Sequence, residues 1–226
     1  MLGVGVPGHH GEFAWRESGL LTQERLQPSE ADEVPVATGD EVPALRWADI
    51  SDKGYGFSLF NDCKYGHQAN GNTLGLTLVR SPYEPDNLPD QGLHTFSYAL
   101  YPHSGDWRQA HTDRRAAEFN QPLVYSVTTA HAGTIVPGKG LINCSAPNVM
   151  ITSVKCAESG ENAVIVRVVE MHGQPATAKL RWAWQVRKVE QVNPVEEHSI
   201  DLTAQPDGVD IPLLKHEIIT LKLYLS

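Results

Sequence analysis

Residues 46–86 read RWADISDKGYGFSLFNDCKYGHQANGNTLGLTLVRSPYEPD, and the pattern inside this stretch decides the fold. In YGFSLFND, Phe57, Leu59 and Asn61 alternate with Ser58, Phe60 and Asp62, the period-2 pattern of a β-strand. NGNT at 70–73 supplies hairpin turn residues, and LGLTLVRS then brings Leu74, Leu76 and Leu78 onto one face. SPYEPDNLPDQG, residues 81–92, is a Pro-rich loop of the kind that carries function or lies against another domain. HTFSYALYPH returns to strand, with Phe96, Tyr98 and Leu100 in register.

Outward from this stretch the reading stays β. WRQAHTDRRAAEFNQP is the one helical candidate, stopped by Asn120 and Pro122, and PLVYSVTTA after it reads as strand. A Gly/Pro boundary at 136–140 separates a second region. There NVMITSVKCAE, AVIVRVVEMHG, ATAKLRWAWQVRKVEQV, SIDLTA and EIITLKLYL are strand-like runs punctuated by ESGEN, MHGQP and QPDG. Such spacing predicts a small antiparallel sandwich. Residues 1–45 hold the acidic run PSEADEVPVATGDEVPA, which shows neither period, and are expected to be an irregular lead-in with one strand, or a segment that packs on something this chain lacks. The expected division is therefore 1–45, a large β-sandwich region at 46–137, and a small C-terminal β-sandwich at 138–226.

Composition narrows the function classes. The 226 residues are 41% hydrophobic and 20% charged, with net charge −9, a globular balance. No Lys/Arg cluster tracks a phosphate backbone, so nucleic acid is not expected as a partner. No apolar run has membrane-spanning length. Cys63, Cys144 and Cys156 are widely spaced and odd in number, which argues against a disulfide framework and for a reducing cytoplasm.

The core NDCKYG at 61–66, then LTLVRSP at 76–82 and HTFSYALYPHSGDW at 94–107, resemble in order and spacing the C-terminal half of glycoside hydrolase family 38 α-mannosidases. APNVMITSVKCAE, IVRVVEMHGQPATAKL and EIITLKLYL resemble that family's last small β domain. The resemblance implies an all-β fold: an antiparallel supersandwich, galactose-mutarotase-like, followed by a small C-terminal β-sandwich. It implies the non-catalytic part of a retaining α-mannosidase, with the nucleophile and the zinc ligands in a catalytic domain this chain lacks. No position here matches the family's catalytic aspartates, so the chain alone is expected to be inactive and to hold no cofactor. Its partners would be the remaining domains, mannose-containing saccharides and, in a homo-oligomer, further copies.

Four residues are the candidate sugar contacts: Asn61, Asp62, Lys64 and Tyr65. Polar side chains on such a loop can accept sugar hydroxyl hydrogens, with Lys64 pairing a carboxylate of another domain. The structural reading of the same hexapeptide is a strand cap and tight turn, with Tyr65 packed and Cys63 buried. His111-Thr-Asp113 imitates a zinc pair, but on a helix residues two apart do not face each other. No metal site is expected. Trp47, Trp107, Trp182, Trp184 and the tyrosines at 83, 98 and 101 offer sugar platforms or sandwich core, and Trp182 and Trp184 would share a strand face. A free-standing sugar-binding module would expose one of them, whereas a purely structural piece would expose an apolar patch where other domains pack.

Overall fold

The computed structural model describes residues 2–5, 12–15, 41–52, 54–70, 72–82, 84–133 and 140–226. The chain divides into two compact units, Met1–Ser126 and Val127–Ser226. The sequence reading sets this junction at 137/138.

The first unit is built from eight strands: β1 (Leu2–Gly5), β2 (Glu12–Trp15), β3 (Glu41–Pro43), β4 (Trp47–Ser51), β5 (Tyr55–Asn61), β6 (Gly66–Asn70), β7 (Thr73–Leu76) and β8 (Tyr98–Ser104). Three of these lie in residues 1–45, where an irregular lead-in with one strand was expected. Residues 1, 6–11 and 16–40 of that expectation lie outside the described ones. The strands form two antiparallel sheets, ordered β1-β7-β6-β3 and β2-β4-β5-β8. β6 and β7 make the hairpin read from NGNT, with Asn70 opposite Thr73.

β5 explains how the layers stack, because every residue after Tyr55 is buried. On one face Phe57 and Leu59 join Ala48, Ile50, Ala69, Leu74 and Leu76 between the two sheets. On the other, Phe60 and Trp47 meet Ala116 of helix α1 (Thr112–Asn120). A strand covered on both sides needs apolar residues in both alternating sets, which YGFSLFN supplies.

β8 corrects the predicted face. The strand begins at Tyr98, so Phe96 precedes it. Tyr98 and Leu100 are exposed, at 43% and 47%, while Ala99 and Tyr101 pack on Phe60 and the helix. β8 is an edge strand, hydrogen-bonded only to β5 among the described strands, so its outward row loses its cover. PLVYSVTTA is not a strand: residues 122–130 lie outside every strand of the fold and are exposed. A period-2 pattern becomes a strand only when another backbone completes its hydrogen bonds, and no described backbone group is hydrogen-bonded to this segment.

The second unit is a sandwich. β9 (Ile142–Cys144), β12 (Ala176–Trp182) and β15 (Gly208–Leu213) form one sheet, in the order β15-β12-β9. The other holds β10 (Val149–Cys156), β11 (Ala163–Glu170), β13 (Val186–Val192), β14 (Ile200–Leu202) and β16 (Ile218–Leu225), ordered β10-β11-β16-β13-β14. Leu180, Trp182, Ile211 and Leu213 of the first sheet meet Val166, Val168, Leu221 and Leu223 of the second in one core. ATAKLRWAWQVRKVEQV is two strands, broken at Ala183–Gln185. Trp184 therefore sits in the bend and does not share a strand face with Trp182.

The outer face of the five-stranded sheet is a charge lattice. Lys222 meets Glu161, Lys188 meets Glu190 (2.6 Å) and Asp201 (2.9 Å), and Lys155 meets Glu158 (2.6 Å) and Glu196 (2.7 Å). In each group a nearly buried side chain, Lys222, Glu190 or Glu196, is matched to a more exposed partner of opposite charge, as a charge held out of water requires.

Glu170, fully buried at the end of β11, clasps three loops. It accepts from Asn148 Nδ2 and His172 N–H (each 2.8 Å) on one oxygen, and from Gly173 N–H (2.8 Å) and His216 N–H (2.9 Å) on the other. Burial pushes its pKa up, but the N–H donors of His216 and His172 and the Asn148 amide outweigh it, so the carboxyl lies below its ordinary 4.5. Its stabilisation is therefore present above pH 4.5 and is lost as pH falls through the lower folded value. Glu170→Gln is expected to destabilise the second unit by about 1.5–3 kcal/mol at neutral pH. Urea denaturation followed at Trp182 and Trp184 checks this, and the deficit should shrink in acid.

Candidate functional site

The loop NDCKYG leaves β5 and enters β6, and its geometry is set by its one buried residue. Asn61 is 1% exposed. Its Oδ1 accepts the Lys64 N–H at 3.0 Å, closing the turn. That orients Nδ2 toward His67 Nε2 at 3.2 Å. Since Nδ2 can only donate, Nε2 must be the unprotonated nitrogen, and Nδ1–H points at the Tyr65 carbonyl, 3.4 Å away. Burial pushes the His67 pKa down, in keeping with a neutral ring.

The next residue turns outward but is also tied. Asp62 donates its N–H to the Ser97 carbonyl (3.2 Å) and accepts the Ser97 N–H on Oδ2 (2.9 Å). The Cys63 thiol beside it, and then Ser97, hold its carboxyl below the usual carboxylate range. The same carboxylate pushes the Cys63 thiol up. Cys63 is exposed and Tyr65 is 54% exposed, which corrects the expectation of a buried thiol and a packed ring. The turn keeps only Asn61 inside because both of its amide ends find partners there. Lys64 extends over the Phe96 ring, its Nζ 5.2 Å from the centroid.

Lys64, Tyr65 and Gly66 form one wall of an open cleft of about 460 Å³. The other walls come from Val42 and Pro43 of β3, from Thr77–Arg80 after β7, and from Asp90 and His94. Asp90 accepts the Ser81 N–H at 2.9 Å, and His94 Nε2 donates to the Asp90 carbonyl at 2.7 Å. The four sequence candidates thus share one loop: Lys64 and Tyr65 line the cleft, Asp62 lies exposed beside them, and Asn61 is a buried anchor. Arg80, Asp90 and His94 were not singled out from sequence. The available signal was the Pro-rich loop 81–92, which contributes Asp90. An exposed ring, two cations and one carboxylate around a concavity, with Asp62 beside it, can bind a polyhydroxylated ligand.

A second polar cluster lies on the helix-covered face of the sheet. Asp49 Oδ2 receives Ser58 Oγ (2.5 Å) and His103 Nε2 (2.7 Å), and Ser58 Oγ is 3.0 Å from Thr112 Oγ1. The residue types are those of a hydrolytic triad, but the wiring is different. In a triad histidine bridges serine and carboxylate through its two nitrogens, whereas here both groups share one carboxylate oxygen and are buried. The cluster is a structural tie. Gly56 makes room for it, since a Cβ there would lie 2.1 Å from His103 Cε1 and 2.6 Å from Ser51 Cβ.

Metal-binding and platform expectations also take their places. His111 caps α1 in left-handed backbone (φ 52°), and Asp113 is buried in the first turn. Among the described residues, no group of three or more His, Cys, Asp or Glu side chains could hold a metal ion. Trp47 and Trp182 are buried, and Trp107 is tilted against Trp47 with centroids 5.3 Å apart. Tyr83 lies outside the described residues. No helix among the described residues is long and apolar enough to cross a membrane.

An all-β scaffold presenting a polar loop beside an open cleft is the class that fold and site define. Comparison with known proteins gives it a family. Residues 8–88 match the glycosyl hydrolases family 38 C-terminal domain, and residues 148–221 match the family's C-terminal beta sandwich domain. The chain belongs to glycoside hydrolase family 38 and corresponds to its C-terminal region. It is 32% identical to human alpha-mannosidase 2C1 over 190 residues, covering 82% of this chain and 18% of that protein. It is 36% identical to alpha-mannosidase G of Dictyostelium discoideum over 138 residues, 61% of this chain and 13% of that protein. The chain thus spans under a fifth of these relatives. An alpha-mannosidase from Enterococcus faecalis V583 shares the fold, with TM-score 0.64 at 22% identity over 81% of this chain and 21% of that structure.

The two histidines give a direct check on both clusters. At His103, burial opposes the charge, but the hydrogen bond and charge of Asp49 prevail, so its pKa is raised above 6.5, whereas that of His67 is lowered. An NMR titration of the imidazole signals should place the two midpoints on opposite sides of 6.5. Stabilisation by His103 is complete below 6.5 and is lost as pH rises through the higher folded value. Gly56→Ala should displace the ring and cost about 1–3 kcal/mol in thermal unfolding, with a smaller deficit at alkaline pH.

Proposed function

We propose that this chain is the non-catalytic C-terminal region of a retaining α-mannosidase, and that its loop 61–66 closes one side of the mannose pocket. Supporting the first part is the ordered match to both C-terminal domains of the family. The observation that carries the second is the loop itself: Asn61 locked from beneath by His67, with Asp62, Lys64 and Tyr65 held outward. Pre-set side chains bind without the cost of ordering them.

In this reading another domain supplies the chemistry. A retaining glycosidase needs a nucleophilic carboxylate and an acid/base carboxylate flanking the bond, and zinc bound in that domain would hold the sugar. Asp62 would accept sugar hydroxyl hydrogens, Tyr65 would lie against a pyranose face, and Lys64 would meet a carboxylate across the interface. The low pKa of Asp62 keeps it an acceptor through the neutral range. The compartment is the cytoplasm, a reading supported by exposed free thiols at Cys63 and Cys156.

A free-standing sugar-binding module is the second reading, and the half-exposed Tyr65 beside the cleft favours it. The buried Trp47 and Trp182 give it no support.

Titration of the chain with methyl α-mannoside, followed by amide and side-chain NMR shifts, tests the loop. Saturable shifts confined to residues 61–66, 80, 90 and 94 at about millimolar sugar are the expected result, abolished by Tyr65→Ala. Shifts absent throughout, or centred elsewhere, remove loop 61–66 from sugar recognition.

A further inference from the structure

Residues 121–133, QPLVYSVTTAHAG, are exposed throughout. Leu123, Val124, Tyr125 and Val127 are 97%, 97%, 87% and 92% exposed. No backbone hydrogen bond joins residues 122–133 to another described residue. The composition is nevertheless that of a strand, rich in β-branched and aromatic residues. Leu123, Tyr125 and Val127 form one alternating set and Val124, Ser126 and Thr128 the other. The first set is wholly apolar and Val124 adds one apolar residue to the second, the pattern of a strand that buries one face. Pro122 stands at the first position, where a strand tolerates the missing N–H.

We propose that residues 122–129 are a docking strand, which adds by main-chain hydrogen bonding to a sheet edge in the part of a full-length α-mannosidase that this chain does not span. The inference rests on the reading of the chain as a mannosidase C-terminal region. Two observations select this occupant. A strand-like segment with one apolar face needs backbone partners and cover together, which a sheet edge backed by a core provides. The human and yeast mannosidases that this chain resembles have 18% and 19% of their length in the matched region, so most of such a polypeptide is available to supply that edge.

The test compares this chain alone with a chimera in which it replaces the matching C-terminal region of the yeast α-mannosidase. Hydrogen–deuterium exchange is read at residues 122–129, with β11 and β16 as internal markers of folding, and aryl α-mannoside hydrolysis is measured in parallel. The expected result is rapid exchange in the chain alone and slowing by about 100-fold or more in the chimera. An active chimera whose residues 122–129 still exchange freely overturns the docking strand and leaves the mannosidase reading standing. Protection without hydrolysis supports the docking strand and counts against that reading. Concentration-dependent protection in the chain alone would make a second copy the occupant and overturn the proposal. Tyr125→Lys in the chain alone is expected to leave Tm within about 1 °C. A larger fall would show that the segment packs within this chain, which also overturns the proposal.

Discussion

The first unit depends on one buried carboxylate. Asp49 has no exposed surface, and its Oδ2 ties Ser58 of β5 and His103 of β8, with Thr112 at the start of α1 one hydrogen bond further on. A single charged acceptor thereby joins three strands and holds the helix against the sheet. A buried charge is costly unless its partners stay in place, so the tie fixes β4, β5 and β8 in one register. The tolerance is small. Gly56 lies opposite His103, and the space a methyl group would need there is already filled by the ring.

From this tie the site follows along β5. The strand is buried on both faces up to Asn61, whose amide then turns the chain by capping Lys64 and meeting His67. Because both ends of the Asn61 amide are hydrogen-bonded, Asp62, Lys64 and Tyr65 stand at defined positions at or beside the cleft. The second unit solves a similar problem with Glu170, a buried acceptor that gathers three loops at one end of its sandwich. In both units a buried anion organises chain segments far apart in sequence.

Much of this was legible in the sequence. Alternation gave β5, NGNT gave the β6–β7 hairpin, and the β-branched runs gave β10, β11, β13 and β16. Other elements were hidden for physical reasons. β15, GVDIPL, carries Asp210 and Pro212 on its outward face, and these mask a strand whose Val209, Ile211 and Leu213 are buried. β8 shows large apolar residues in both sets, so only the helix lying on one face decides which set is covered. PLVYSVTTA has strand composition without a strand partner, and composition does not reveal whether a partner is present. The loop residues Asp62, Lys64 and Tyr65 were readable as candidates, whereas Arg80, Asp90 and His94 join the cleft only through tertiary folding. The Asp49–His103 tie bridges 54 positions, a separation that no local pattern reports.

In the proposed function, loop 61–66 is a wall of a mannose pocket whose catalytic groups lie in another domain. The most direct measurement is kcat/KM for aryl α-mannoside hydrolysis by the yeast chimera carrying Asp62→Ala, with Tm recorded alongside. The account predicts a fall of about 10-fold or more at an unchanged Tm. An unchanged kcat/KM in an active chimera would contradict it and leave the loop as a turn between two strands.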